Sequence, residues 1–129
     1  MKMQPSVLIV DGDPDSLDQI CSFVADCDVR LQTATDLASA MKRISESRFS
    51  IVLLDWQLPD GQAAKLVGHI RNNHRLRRMH IIALSEPADP ETVQSVLKNG
   101  VDDFFSRPIA PHELRTRLLW AQSRLKELV

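Results

Sequence analysis

The chain is short of cysteine, of long apolar runs and of any surplus charge, and each shortage excludes something. Two cysteines, Cys21 and Cys27, in 129 residues are too few for a disulfide framework. Cys21 falls on the apolar face of an expected helix and reads as a buried structural thiol. No early apolar stretch is long enough for a signal peptide, and none approaches membrane-spanning length. The expected setting is a reducing cytoplasm, with no membrane partner. Sixteen Lys plus Arg stand against seventeen Asp plus Glu, so nothing draws the chain generally toward nucleic acid or an anionic surface. The densest basic stretch, Arg71 to Arg78, has no aromatic residue interleaved to stack bases; it reads as a solvated helix end and loop. His69, His74, His80 and His112 lack the pairwise spacing of metal ligands, and His69 is expected to face solvent from a helix.

What is present is a set of short apolar runs. Val7-Leu8-Ile9-Val10 leads into Asp11-Gly12-Asp13, Ile51-Val52-Leu53-Leu54 into Asp55, and Ile81-Ile82-Ala83-Leu84 into Ser85. Phe104-Phe105 leads through Ser106 to Arg107. Such runs, separated by amphipathic stretches, read as strands buried on both faces of a parallel sheet. Arg30 to Ala34 alternates Leu31 and Thr33 with polar neighbours and reads as a further strand nearer a sheet edge. Parallel strands deliver their ends to one edge, where open α/β sheets bind ligands.

Helical spacing fills the gaps. Leu17, Ile20, Cys21 and Val24 share one face; so do Leu37, Ala40, Met41 and Ile44, and then Leu66, Val67 and Ile70. Val93, Val96 and Leu97 make a stripe that Asn99-Gly100 closes. Asp13-Pro14 and Asp89-Pro90 mark two helix starts, Asp capping the free amides and Pro taking the first helical position. Strand and helix therefore alternate five times in one domain, with right-handed crossovers placing helices on both faces. From Pro111 the last pattern runs to the end, with Leu114, Leu118, Ala121, Leu125 and Leu128 at alternating spacings of four and three. Two readings stand: a helix that packs its first half and frays after Trp120, or a seam that pairs or carries a signal onward.

Asp55 ends the most apolar strand and precedes Trp56-Gln57-Leu58-Pro59-Asp60-Gly61, a turn rather than a helix start. With Asp11 and Asp13 it can form an acidic pocket of the oxygen ligands that suit Mg²⁺. Trp56 is expected near the pocket mouth, and Asp102-Asp103 reads as a solvated turn. At this point the chain resembles a receiver domain of two-component response regulators, over residue 6 to about residue 121. The motifs that carry the resemblance are Asp11-Gly12-Asp13, Asp55 with Leu58-Pro59-Asp60-Gly61, Ser85, Arg107-Pro108, and the turn Asn99-Gly100-Val101-Asp102-Asp103-Phe104.

The resemblance implies a chemotaxis-regulator-like, flavodoxin-like fold: a doubly wound five-stranded parallel sheet of order 2-1-3-4-5 with five helices. It implies residues 1–121 as the receiver domain, with 122–129 extending the last helix toward an output domain. It implies a switch rather than a turnover enzyme. A histidine kinase or phosphotransfer protein would give a phosphoryl group to Asp55. Mg²⁺ would be held by Asp11, Asp13, Asp55 and the backbone carbonyl of Gln57. Ser85 would hydrogen-bond one phosphoryl oxygen, Arg107 would pair with another, and Phe104 would be the switch aromatic. The surface of the last strand and last two helices would change, and a homodimer would use that face or the last helix. The Arg107–Pro108 peptide is expected to be cis.

Three positions depart from the family pattern. Gly12 stands where a second acidic residue usually binds the metal, which weakens the expected Mg²⁺ affinity. Arg107 stands for a Lys, and a planar fork does not fit everywhere a compact ammonium fits. Phe104 has no hydroxyl. Gly12 and Arg107 favour a pseudo-receiver, an interaction module that is not phosphorylated; Asp55 and Ser85 argue against it. Asp11-Gly12-Asp13 also resembles the Asp-x-Asp of haloacid-dehalogenase-like phosphatases, with Asp11 as nucleophile. There, however, Asp55 would have no role and no cap domain would fit. A flavin-binding reading lacks a Ser/Thr/Gly-rich phosphate loop after the first strand.

Overall fold

A computed structural model describes residues 4–127. The order is β1 (Ser6–Val10), α1 (Pro14–Val24), β2 (Arg30–Ala34), α2 (Leu37–Glu46) and β3 (Ile51–Asp55). A short 3₁₀ turn (Pro59–Gly61) follows, then α3 (Gln62–Arg71), β4 (His80–Ser85), α4 (Pro90–Lys98), β5 (Asp103–Ser106) and α5 (Pro111–Glu127). The five strands are parallel in the order β2-β1-β3-β4-β5, the expected doubly wound arrangement.

The apolar runs are continuous because alternate side chains bury into different layers. Leu8, Val10, Val52, Leu54, Ile81 and Ala83 meet α2, α3 and α4 on one face. Val7, Ile9, Ile51, Leu53, Ile82 and Leu84 meet α1 and α5 on the other. β2 has only one neighbour and opens with an exposed Arg30, as its mixed pattern predicts for an edge. Asp13 caps α1 by accepting from the Asp15 amide, and Asp89 caps α4 by accepting from the Thr92 amide. α3 starts differently: Asp60 (φ 57°) and Gly61 (φ 66°) are left-handed, a conformation Gly adopts freely and Asp tolerates.

Several expectations are corrected. Cys21 and Cys27 are half-buried free thiols, since Leu17, Ile20 and Val24 take the inner face of α1 and leave Cys21 at its rim. α4 buries only Val96; Val93 is half-buried and Leu97 is 40% exposed, so this helix rides shallowly on the sheet. His69 is half-buried rather than solvent-facing. In α5, Leu114, Leu118 and Ala121 are buried, and the helix continues past Trp120. Leu128 and the side chain of Leu125 lie outside the described residues.

The largest correction is the Asp102-Asp103 turn, which is an anchor rather than a solvated loop. Asp102 accepts from Arg71 (Nη2, 2.7 Å) and from the Ile81 amide (2.8 Å). Arg124 of α5 lies 3.5 Å from its other oxygen, and His80 lies 3.8 Å away. Arg71 also donates to the carbonyls of Gly100, Arg77 and Met79, at 2.8, 2.6 and 2.6 Å. Gly100 has φ 109°, and a Cβ there would come within 3.0 Å of the Arg71 side chain. His80, passed over in the sequence, is buried and meets Trp120 edge to face, with the ring centroids 5.5 Å apart. This cluster ties α3, β4, β5 and α5 together at the starts of the strands, away from the edge where Asp55 sits.

Candidate functional site

The strand ends bring Asp11, Asp55, Ser85 and Arg107 to one edge because the sheet is parallel and in register. Val10 pairs with Leu54, Asp55 with Leu84, and Ser85 with Ser106, so each functional residue falls at or just beyond the last ladder position. Asp11, Asp55 and Arg107 border a crevice of about 690 Å³, lined also by Gly12, Asp13, Ser16, Gln57 and Glu86, with Ser85 buried behind it and joined to it through Gln57.

Asp11 is fully buried, and both its oxygens are occupied. Oδ1 accepts from the Asp13 amide at 2.9 Å and Oδ2 from the Ser16 hydroxyl at 2.5 Å. Asp55 is 7% exposed, and its Oδ1 accepts from the Gln57 amide at 3.0 Å. Arg107 reaches over both carboxylates: its Nη2 lies 3.6 Å from Asp11 Oδ2 and 3.5 Å from Asp55 Oδ1. Its Nε lies 3.6 Å from Glu86. Burial pushes the Asp55 carboxyl above its ordinary range, and the neighbouring Asp11 adds to this; the Gln57 amide and Arg107 pull it back.

Asp13 is brought to the crevice rim, but its carboxylate turns to the start of α1, accepting from the Asp15 amide at 3.1 Å. Among the described residues, no group of three or more His, Cys, Asp or Glu side chains is arranged to hold a metal ion. The carboxylates that do come together are those of Asp11 and Asp55, both within 3.6 Å of the Arg107 Nη2, the kind of sparse oxygen set with which Mg²⁺ keeps most of its waters. Arg107 supplies positive charge between the same two carboxylates. Phe104 is half-buried against the α2–α4 face of the core, and Phe105 turns to the opposite face under the Arg117 guanidinium. The Arg107–Pro108 peptide is cis. Trp56 packs on the core beside the crevice rather than lining it.

Three site groups escaped the sequence reading: the Ser16 hydroxyl, Glu86, and the side chain of Gln57. The Gln57 carboxamide donates to Ser85 Oγ at 3.0 Å and accepts from the Glu86 amide at 3.1 Å. No local spacing announces such contacts, because they join residues almost thirty positions apart (|i−j| 28 and 29).

A doubly wound sheet with two buried carboxylates, a hydroxyl and a guanidinium at its carboxyl edge defines a narrow class. The family model described as the response regulator receiver domain matches residues 7–119, and the chain belongs to that family. It is similar to the phosphate regulon transcriptional regulatory protein PhoB of Escherichia coli K12, 24% identical over 126 residues, which are 98% of this chain and 55% of that protein. The chain thus spans about half the length of this curated relative. The solved BeF3-activated receiver domain of DrrB, from Thermotoga maritima, superposes with TM-score 0.82 at 23% identity, covering 94% of this chain and 99% of that one. A CheY-like receiver domain protein of Methanospirillum hungatei gives 0.83 at 24%, covering 97% and 99%. At these identities the structural likeness establishes the fold alone, a flavodoxin-like five-stranded sheet; the family match makes the chain a receiver domain, a signalling module of two-component systems.

Proposed function

We propose that this receiver domain is a phosphoacceptor switch that takes a phosphoryl group onto Asp55 from a histidine kinase or a phosphotransfer protein. The observation that carries the reading is Asp55 itself: a buried carboxylate at a strand end, open to a crevice, 3.5 Å from Arg107. Gln57 and Arg107 engage Oδ1, leaving Oδ2 as the attacking oxygen. An O–P bond forms to Asp55 as the donor's P–N bond breaks and its electron pair returns to the imidazole. Arg107 pairs with the oxygens of the transferred group, Ser85 donates its hydroxyl proton to another, and Phe104 follows Ser85. Asp11, Asp55 and the Gln57 carbonyl would hold Mg²⁺, which supplies charge neutralisation when bound; Asp13 stays at its helix cap.

The changed surface would be that of α4, β5 and α5, where Leu97, Leu119 and Trp120 are exposed and where a second copy would pair. Residues 1–121 would be the receiver proper, and 122–129 would lead toward an output domain, in keeping with the partial coverage of PhoB. The free thiols fit a cytoplasmic setting. The test is incubation with acetyl phosphate and Mg²⁺, followed by borohydride trapping and peptide mass spectrometry. Modification at Asp55 is expected. Modification at Asp11 with continuing phosphate release would instead indicate a phosphatase, and no modification a pseudo-receiver.

A further inference from the structure

Gln57 enters the reading above only through its backbone, yet its side chain bridges Ser85 and the Glu86 backbone across the edge of the crevice. Its amide nitrogen donates to Ser85 Oγ at 3.0 Å, its amide oxygen accepts from the Glu86 backbone at 3.1 Å, and its own backbone N–H holds Asp55 Oδ1 at 3.0 Å. One residue therefore grips the nucleophile and, through a planar two-point clamp, the end of β4 and the first residue of the connection to α4. Glu86 is held a second time through its carboxylate, 3.6 Å from Arg107 Nε. The connection leads to α4, which buries only Val96 and so has little of its own to fix it. Ser85 is itself buried, at 3% exposure, and its hydroxyl accepts from this carboxamide on the side toward the crevice residues.

We propose that the Gln57 side chain is a latch on the resting state: it holds Ser85 and Glu86 in their unphosphorylated places, and switching requires it to let go. This rests on the phosphoacceptor reading for its trigger, but the clamp itself is present without any phosphoryl group. When Ser85 is drawn toward a group on Asp55, the hydroxyl and the following amide move together, because they are adjacent in the chain. A rigid carboxamide cannot follow both while its own backbone stays bound to Asp55. Both side-chain bonds are therefore lost on switching, and the resting state is favoured by the difference. Gln57 is thus a positioning residue that sets how readily the switch is thrown.

The test compares the wild-type protein with Gln57→Met, which keeps the side-chain length and removes both bonds. Hydrogen exchange on the unphosphorylated proteins reads the clamp directly. Exchange of the Glu86 amide should quicken in the variant while the amides of β3 and β4 stay protected, which also shows that the variant is folded. Titration with beryllofluoride and Mg²⁺, followed by Trp56 emission, reads the latch. The variant should bind roughly tenfold more tightly, the effect of losing two net hydrogen bonds from the resting state only. Equal or weaker binding by the variant overturns the latch, and unchanged Glu86 exchange overturns the clamp on which it depends. If neither protein binds beryllofluoride while Glu86 exchange still quickens, the phosphoacceptor reading falls and with it the switching role, leaving a structural clamp.

Discussion

His80 shows how burial and charge oppose one another at a single side chain. It is enclosed by β4, the Asp102-Asp103 turn, Arg71 of α3 and Trp120 and Arg124 of α5, with Nε2 buried and unpartnered. Burial lowers its pKa from 6.5, and Asp102 only partly offsets that. The folded protein therefore binds this proton less readily than the unfolded chain does. The stability concerned is intact above the ordinary histidine value and is lost as pH falls through it. Urea midpoints measured from about pH 7.5 down to about pH 5.5 should decline, and His80→Gln should flatten the decline. Gly12 makes a second case at this scale. Its φ is ordinary, and a Cβ there would meet Leu58 and Thr35 at 3.4 and 3.5 Å, so a side chain can be added. Gly12→Asp should add a carboxylate to the crevice and tighten Mg²⁺ binding roughly tenfold in a fluorescence titration; an unchanged affinity would show that Gly12 does not limit it.

Among the elements, the helices are held with unequal strength. α5 sets Leu114, Leu118 and Ala121 into the core beside α1, whereas α4 contributes Val96 alone. Leu114→Ala should cost about 2–5 kcal/mol in equilibrium unfolding, as fully buried leucines do. Leu97→Ala should cost less than about 0.5 kcal/mol, because the side chain is already 40% exposed. The strands were legible because burial on both faces writes an unbroken apolar run, and β2 because an edge writes a mixed one. The helix starts were legible in Asp-Pro. The depth of α4 was not, since spacing gives the face of a helix and not its distance from the sheet. Asp102 was misread, and His80 passed over, for a related reason: what makes them an anchor is Arg71, thirty-one positions from Asp102, and no local pattern carries that pairing. The site was legible where residues end strands (Asp11, Asp55, Ser85, Arg107) and illegible where a side chain reaches across, as from Gln57 and Ser16. Asp13 was ambiguous by position, and the structure uses it as a cap.

At the scale of the molecule, the sheet separates two tasks. The strand ends carry the crevice, and the strand starts carry the Arg71–Asp102 anchor that fixes the path of α5. Arg71→Ala removes four hydrogen-bonded acceptors' common donor and should cost about 2–3 kcal/mol in thermal or denaturant unfolding. Modification of Asp55 per folded molecule should be unchanged, because the two ends share no side chain. The central claim is that a phosphoryl group arrives on Asp55 and is sensed by its neighbours. The most direct measurement is an amide NMR spectrum of the wild-type protein and of Asp55→Asn, each with acetyl phosphate and Mg²⁺. The account predicts shifts at Ser85, Glu86, Phe104 and along α4 in the wild-type protein, and none of them in Asp55→Asn. The same shifts in the variant, or none in either protein, would contradict it.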